Sequence, residues 1–448
     1  MSVTEPTVGI YTLGCKVNQY ESEAIAEELM RAGICVRPPS EACDAYIINT
    51  CTVTAESDRK ARQFIRRAIS KNPSAVVVVT GCLAQTAAES LLAIDGVDAV
   101  IGNHRKLGAA EEVLRRLSAC TPLPPSIEVA DISVSPFEPM CISSFGRTRA
   151  YIKIEDGCES RCTYCIIPNA RGPIRSKPQK EVIDEVRTLT ENGCREVVLT
   201  GIETASYGKD LVGTDLGSLL CEIDRIPGIG RVRLGSLDPS LIRPAFVERI
   251  ATLSSLAPHF HLSLQSGSSR VLAAMKRKYN ADMAMQAIAL LRAHIPSVQF
   301  TTDIIVGFPG ETEEDFEDTL RFVREAKFLN AHIFPYSKRK GTPAATMQGQ
   351  IPEEEKKRRL HVLTDEVARI RHDLLQAEVR DKPTVDVLFE TQENGFAFGH
   401  TANFLEVAVS TDRSLHANIL TVRLTHTDGT RCFGEIANET SQERSSSI

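Results

Sequence analysis

The first hundred residues alternate short apolar runs with amphipathic stretches, and this alternation constrains the chain more than any other feature. "TVGIYTLGC" is followed by "NQYESEAIAEELMRAG", "DAYIINTC" by "ESDRKARQFIRRAIS", "SAVVVVTGC" by "QTAAESLLAI", and "VDAVIGN" ends the series. Apolar runs of strand length separated by helical periodicity predict a parallel sheet with crossover helices. Each of the first three runs ends in a cysteine: Cys15, Cys51 and Cys82. In open parallel sheets the loops at the carboxyl ends of the strands converge on one edge, where ligands bind. Three thiols remote in sequence can therefore meet there.

The stretch 121–140, "TPLPPSIEVADISVSPFEPM", is rich in proline, lacks helical periodicity and reads as a linker. A second alternation follows, with strands expected at "AYIKIE", "EVVLTGI", "RVRLGS", "FHLSLQS", "FTTDIIVGF" and "AHIFPYS". Six strand and helix units fall short of the eight that close a barrel, so an open, partial (β/α)6 barrel is expected. The charged segment "PEEEKKRRLHVLTDEVARIRHDLLQAEV" reads as a helix. The runs "TVDVLFE", "FLEVAV", "NILTVRLTH" and "RCFGEIA" then predict a small terminal β-barrel. The fold class is α/β, with a parallel-sheet region, a partial barrel and a small β-barrel in that order.

A chain of 448 residues exceeds one ordinary hydrophobic core. Its longest apolar burst, "AVVVV", is far too short to cross a bilayer, and "MSVTEPTVGIYT" lacks the basic and apolar regions of a secretory signal. No membrane partner is expected, and the expected location is cytoplasmic. Thirteen cysteines, an odd number without an export signal, argue against a disulfide framework and for metal or redox chemistry. The formal net charge of -6 excludes a chain coated in positive charge but leaves room for a local basic face.

The densest chemical signal is "DGCESRCTYCIIPNARG", 156–172, in which a C-x3-C-x2-C loop presents Cys158, Cys162 and Cys165 to one side. Zinc would want a fourth ligand, and no histidine lies between His104 and His259. An iron-sulfur cluster held by three cysteines keeps one iron free for an external ligand. The plain alternative is three buried cysteines acting as small hydrophobes, which the polar, closely spaced loop opposes.

At these residues the chain resembles the radical S-adenosylmethionine enzymes. The whole series "LGCKVNQYE", "NTCTVT", "TGCLAQ", "DGCESRCTYCIIPNARG", "LTGIETASYG", "HLSLQSGS", "DIIVGFPGETEEDF" and "FPYSKRKGTPA" is similar, in order and over about three quarters of the chain, to the methylthiotransferases. "GCKVNQ" and "NTCTVT" most resemble the tRNA threonylcarbamoyladenosine branch. The resemblance implies an N-terminal methylthiotransferase domain at 1–139, a radical domain at 140–380 and a TRAM-like barrel at 381–438; the polar end of the sequence reads as a disordered tail at 439–448. It implies two [4Fe-4S] clusters, one on Cys158, Cys162 and Cys165, which are also the catalytic cysteines, and one on Cys15, Cys51 and Cys82 that carries the sulfur to be inserted. Two molecules of S-adenosylmethionine would be consumed per turnover. One would methylate the cluster-bound sulfur; the other would yield a 5'-deoxyadenosyl radical that removes hydrogen from carbon 2 of adenine. An aromatic carbon-hydrogen bond offers no acidic proton, so the cofactor must supply this chemistry.

The same resemblance makes Gly201 and Glu203 of "TGIETASYG" candidates for the methionine part of the cofactor, with Arg233, Ser236, Gln265 and Asp303 as further cofactor contacts at the barrel mouth. Asp238 stands where relatives often carry glutamate. The implied partners are a tRNA anticodon loop, a flavodoxin- or ferredoxin-like electron donor and a sulfur donor, with the enzyme a monomer.

For RNA, residues 147–180 carry eight Lys or Arg against three acids. This favours Arg171 and Arg175 as phosphate contacts over "RKARQFIRR", which also reads as a solvated helix face. In the terminal barrel Phe398 and Phe404 are candidates to stack on bases. That region carries eleven acids against six Lys or Arg from 378 onward, so most RNA affinity is expected from the middle of the chain. Competing readings are a methylthiotransferase acting on isopentenyladenosine in tRNA or on a ribosomal protein, and an RNA-binding iron-sulfur redox sensor.

Overall fold

The computed structural model describes residues 5–437; the expected tail at 439–448 lies outside the described residues. Six parallel strands form the N-terminal sheet: β1 (Thr7–Thr12), β2 (Cys35–Arg37), β3 (Ala45–Thr50), β4 (Val76–Gly81), β5 (Ala99–Ile101) and β6 (Ser126–Glu128). Their spatial order is 2-1-3-4-5-6. Helices α1 (Lys16–Arg31), α2 (Ala55–Lys71), α3 (Cys82–Leu92) and α4 (Gly108–Leu117) cover its two faces. β3 is buried along its whole length, with Tyr46 and Ile48 in one apolar layer and Ala45 and Ile47 in the other. The strand order reverses between β1 and β3, the switch point at which ligands settle in doubly wound sheets. Two strands escape the hydrophobic pattern. β2 is only three residues long, and β6 lies inside the proline-rich stretch expected to be a linker, where "SIE" adds an edge strand to β5.

The middle region begins with β7 (Ala150–Lys153). A short antiparallel pair, β8 (Glu155–Asp156) and β9 (Arg175–Ser176), then frames the cysteine loop and its helix α5 (Ile167–Arg171). Parallel strands β10 (Glu196–Thr200), β11 (Arg231–Leu234), β12 (Ser236–Leu237), β13 (His259–Gln265), β14 (Gln299–Val306) and β15 (Asn330–Pro335) continue the wall, in the order 7-10-11 and 12-13-14-15. β11 and β12 share one strand position, split at Gly235, so six positions form the open barrel expected from the sequence. α1 joins the two regions: Ile25 and Leu29 pack on the N-terminal sheet, while Tyr20 and Ala24 belong to the barrel's own core.

A helix of 29 residues, Glu353–Asp381, leads to a closed five-stranded barrel of β16 (Thr384–Glu393), β17 (Phe396–Thr401), β18 (Glu406–Ser410), β19 (Ile419–Thr427) and β20 (Cys432–Ile436). β17 is absent from the runs expected as strands, although Asn394 and Gly395, both at positive φ, form the two-residue hairpin that creates it. Arg231 of β11 donates to the carbonyls of His400 and Asp386, fastening this barrel to the amino-terminal end of the larger one. No described helix is long and apolar enough to cross a membrane.

Candidate active site

The loop after β8 holds Cys158, Cys162 and Cys165 beyond the carboxyl end of the barrel's first strand. Backbone bonds pin it at several points. Cys158 N–H donates to Gly172 O (3.0 Å), Thr163 N–H to Met275 O (3.1 Å), and Ala344 N–H to Thr163 O (2.8 Å). Arg277 donates through Nη1 to Cys162 Sγ (3.3 Å) and through Nη2 to Asp238 Oδ2 (2.9 Å). Asp238 thus orients an arginine on a cysteine. Cys162 is buried, and Cys158 and Cys165 are partly exposed. Burial pushes the Cys165 thiol up to about 11. Burial and the adjacent Glu203 carboxylate raise Cys158 further.

Glu203 stands directly beside this triad: Cys158 Sγ lies 3.1 Å from its Oε2, Ser160 Oγ donates to it, and Lys278 Nζ is 3.5 Å away. Gly201 is required here, because a Cβ would stand 2.5 Å from Glu155 Oε2. Glu155 is fully buried, accepts the Glu203 backbone N–H (2.8 Å), and leaves Oε1 without a partner. Burial, with Asp156 and Glu203 nearby, holds its carboxyl well above the usual range. Asp303 Oδ2 lies 3.1 Å from His261 Nε2, and Gln265 adopts φ +70° at a break in the β13–β14 register. Ser236 follows β11, on the same side of the barrel as the cysteine loop. Arg233 does not join them. It is buried on β11 with Nε on Glu196 Oε1 (2.9 Å) and its guanidinium over the Phe404 ring, and Glu196 opens β10 at the end remote from the cysteines. A strand residue two positions from Arg231 faces the same floor, which the sequence motif alone could not reveal.

The second triad is built by the fold. Cys15 caps α1 three residues after β1, Cys51 directly follows β3, and Cys82 directly follows β4 as the first residue of α3. Gly14, at φ +96°, permits their approach: a Cβ there would lie 2.7 Å from Cys51 Cβ and 2.9 Å from its Sγ. Asn18, fully buried, donates to both Leu13 O (2.7 Å) and Thr50 O (2.9 Å), so one side chain ties together the loops carrying Cys15 and Cys51. Asn18 is not among the site residues expected from the sequence; an amide inside the otherwise amphipathic start of α1 was its signal. Burial pushes Cys51 up to about 12, reinforced by Cys82 and Cys15, and raises Cys15 as well. Cys15 as a residue is exposed at the edge of the sheet.

Between the triads lies Arg171, and its position corrects the expectation that it contacts RNA. Its guanidinium has no exposure; it pairs with Glu21 (2.5 Å) and Asp156 (3.1 Å), donates to Asn18 Oδ1 (2.5 Å), and places Nε 3.2 Å from Cys82 Sγ. Arg175 is also buried, donating to the carbonyls of Arg171 and Pro136. Both side chains are turned inward. Phe404 is likewise engaged: it stacks on His259 (4.5 Å) and His400 (4.7 Å) beneath the guanidiniums of Arg149 and Arg233, at the seam between the two barrels. Phe398 points outward from β17, with Arg431 over its ring.

Basic clusters that do reach solvent lie elsewhere, one of them on the helix whose charges also read as a merely solvated face. Lys60, Arg66 and Arg67 on α2 are exposed, and so are Lys338 and Lys340 after β15. These two clusters adjoin, because Arg339 pairs with Asp58 (2.7 Å) and Ser337 Oγ accepts the Ala55 N–H. Lys276 and Lys278, also exposed, flank the Arg277 that touches Cys162.

The donor sets suit iron-sulfur clusters. Each consists of three thiols, and at the second a Cβ on Gly14 would crowd Cys51. Among the described residues, no three His, Cys, Asp or Glu side chains converge as ligands of a single ion. A cubane cluster instead places its thiolates on separate irons, around a larger body.

An open six-position barrel with a three-cysteine loop after its first strand defines a radical S-adenosylmethionine enzyme, and a model of the Radical SAM superfamily matches residues 152–323. Residues 7–102 match the Uncharacterized protein family UPF0004. The chain is 40% identical over 427 residues, 93% of each chain, to threonylcarbamoyladenosine tRNA methylthiotransferase MtaB of Bacillus subtilis. It is 41% identical to the Thermotoga maritima protein of that name, over 80% of this chain and 81% of the other. To the tRNA-2-methylthio-N(6)-dimethylallyladenosine synthase of Carboxydothermus hydrogenoformans it is 38% identical, over 81% and 83%. Among solved structures, the radical S-adenosylmethionine methyltransferase TsrM from Kitasatospora setae shares the fold alone (TM-score 0.52, 17% identity, 76% of this chain and 77% of that one). The chain belongs to the radical S-adenosylmethionine methylthiotransferase family and is a transferase.

Proposed function

We propose that this enzyme is a tRNA methylthiotransferase that converts threonylcarbamoyladenosine at position 37 of the anticodon loop to its 2-methylthio derivative. The observation that carries the choice of nucleoside is the 40% identity to the Bacillus subtilis methylthiotransferase across 93% of both chains, a span that takes in all three regions. A [4Fe-4S] cluster with S-adenosylmethionine supplies the radical that an aromatic carbon-hydrogen bond demands. Cys158, Cys162 and Cys165 hold that cluster, with Arg277 fixing Cys162. Glu203 receives the amino end of the methionine part, and Ser236, Gln265 and Asp303 line the path beyond. Cys15, Cys51 and Cys82 hold a second [4Fe-4S] cluster for the sulfur, and two molecules of S-adenosylmethionine serve one turnover.

The regions correspond to functional domains at 1–139, 140–380 and 381–438. The exposed lysines and arginines of α2 and of the loop after β15 engage tRNA phosphates, with Phe398 available for stacking. A low-potential flavodoxin- or ferredoxin-like donor and a separate sulfur donor complete the reaction in the cytoplasm, with the enzyme acting as a monomer.

Mass spectrometry of tRNA nucleosides from cells lacking this protein tests the reading. The 2-methylthio derivative of threonylcarbamoyladenosine should vanish while its precursor remains. Loss of 2-methylthio-isopentenyladenosine, with the former intact, would establish instead the activity named for the 38% identical relative. Reversing Lys338 and Lys340 to glutamate should weaken tRNA binding and make it less sensitive to salt, the logarithmic slope falling by about one for each phosphate no longer neutralised.

A further inference from the structure

The buried charges around Arg171 do not cancel. Arg171, Lys106 and Lys153 have no more than trace exposure, and all three converge on Glu21: Lys106 Nζ lies 2.8 Å from its Oε2, and Lys153 Nζ 3.1 Å from its Oε1. Asp156 is the second buried carboxylate, 3.5 Å from Lys153 and 3.7 Å from Arg175. With Arg175 and the half-buried Glu138 included, four cations face three carboxylates. Burial opposes the charge of Glu21, yet Arg171, Lys106 and Lys153 hold its carboxyl well below the usual range. An uncompensated buried cation is costly. Arg171 Nε also lies 3.2 Å from Cys82 Sγ.

We infer that this cation surplus is the counter-charge of the second cysteine triad, and that Arg171 is the positioning residue that presents it to Cys82. The inference rests on the reading of Cys15, Cys51 and Cys82 as a cluster site. A cluster held by three thiolates is an anion and gains a further negative charge on reduction, so buried positive charge beside Cys82 stabilises the reduced form and raises its potential. The same guanidinium holds Asn18, which ties the Cys15 and Cys51 loops, and Asp156, which immediately precedes the Gly157–Cys158 turn. Arg171 itself ends the helix that follows Cys165. Arg171 thus reaches Cys82 and Asn18 with a charge that cannot be lost to deprotonation.

The test uses the full chain with Cys158, Cys162 and Cys165 changed to alanine, reconstituted anaerobically, so that only the N-terminal cluster contributes to iron content and to the midpoint potential. In that parent, Arg171→Gln should lower both iron retention and potential. Lys106→Gln, which removes a charge without touching Cys82, should lower the potential too. Glu21→Gln should shift it the other way, because it deletes a negative charge from the same network. Opposite signs from Lys106→Gln and Glu21→Gln separate an electrostatic role from loss of packing, and these two variants carry the test if Arg171→Gln does not fold. A cluster whose potential ignores all three changes, or moves the same way in Lys106→Gln and Glu21→Gln, overturns the inference alone. Absence of any cluster in the parent overturns the reading of the second triad, and the inference with it.

Discussion

The two cysteine triads reach the same donor set by opposite routes. Cys158, Cys162 and Cys165 come from eight consecutive residues, and the fold only has to hold a preassembled loop against 274–275 and 344. Cys15, Cys51 and Cys82 come from three strand ends, and no two of them are neighbours until the sheet has formed. A local motif announces itself by spacing and tolerates change elsewhere. A site assembled at a switch point depends on residues that ligate nothing, such as Gly14, Asn18 and Arg171.

This contrast is open to attack by substitution. Cys162→Ala should abolish cleavage of S-adenosylmethionine and remove about half of the iron while the absorption and electron paramagnetic signals of the other cluster persist; unchanged cleavage would break the division outright. Asn18→Ala leaves two backbone carbonyls and a guanidinium short of a partner. It should cost about 2–4 kcal/mol in a urea melt and deplete only the assembled triad. Gly14→Ala, forced to a positive φ against Cys51, should lose about 1–3 kcal/mol and reduce iron at the second site without affecting the first. Phe398→Ala, on the outer face of the terminal barrel, should leave both clusters intact and weaken tRNA binding by about 1–3 kcal/mol if a base stacks there. Equal iron loss from both sites in Asn18→Ala or Gly14→Ala would show that close spacing gives the first triad no independence from the second.

The alternation of runs revealed the N-terminal sheet, the six barrel positions and the long helix before the terminal barrel, because strand and helix periodicities are local. β6 was hidden by flanking prolines, and β17 by a short run that the Asn394–Gly395 dipeptide should have marked. The candidate site divides the same way. The spacing of one triad and the strand-end placement of the other were legible, as was the pairing of Gly201 with Glu203. Arg171 was not, because "NARG" has the look of an exposed basic loop, whereas its partner Glu21 lies 150 residues away. Arg233 and Phe404 were misplaced for a related reason: their environment is a seam between two barrels, and no periodicity describes a seam.

The central claim is that one triad generates the radical and the other delivers the sulfur. Cys51→Ala tests it most directly, with 5'-deoxyadenosine and methylthiolated tRNA measured in the same anaerobic reaction. The account predicts that 5'-deoxyadenosine still forms and that no methylthio nucleoside appears. Methylthio product at the wild-type level, or loss of 5'-deoxyadenosine with it while the first cluster remains intact, would contradict it.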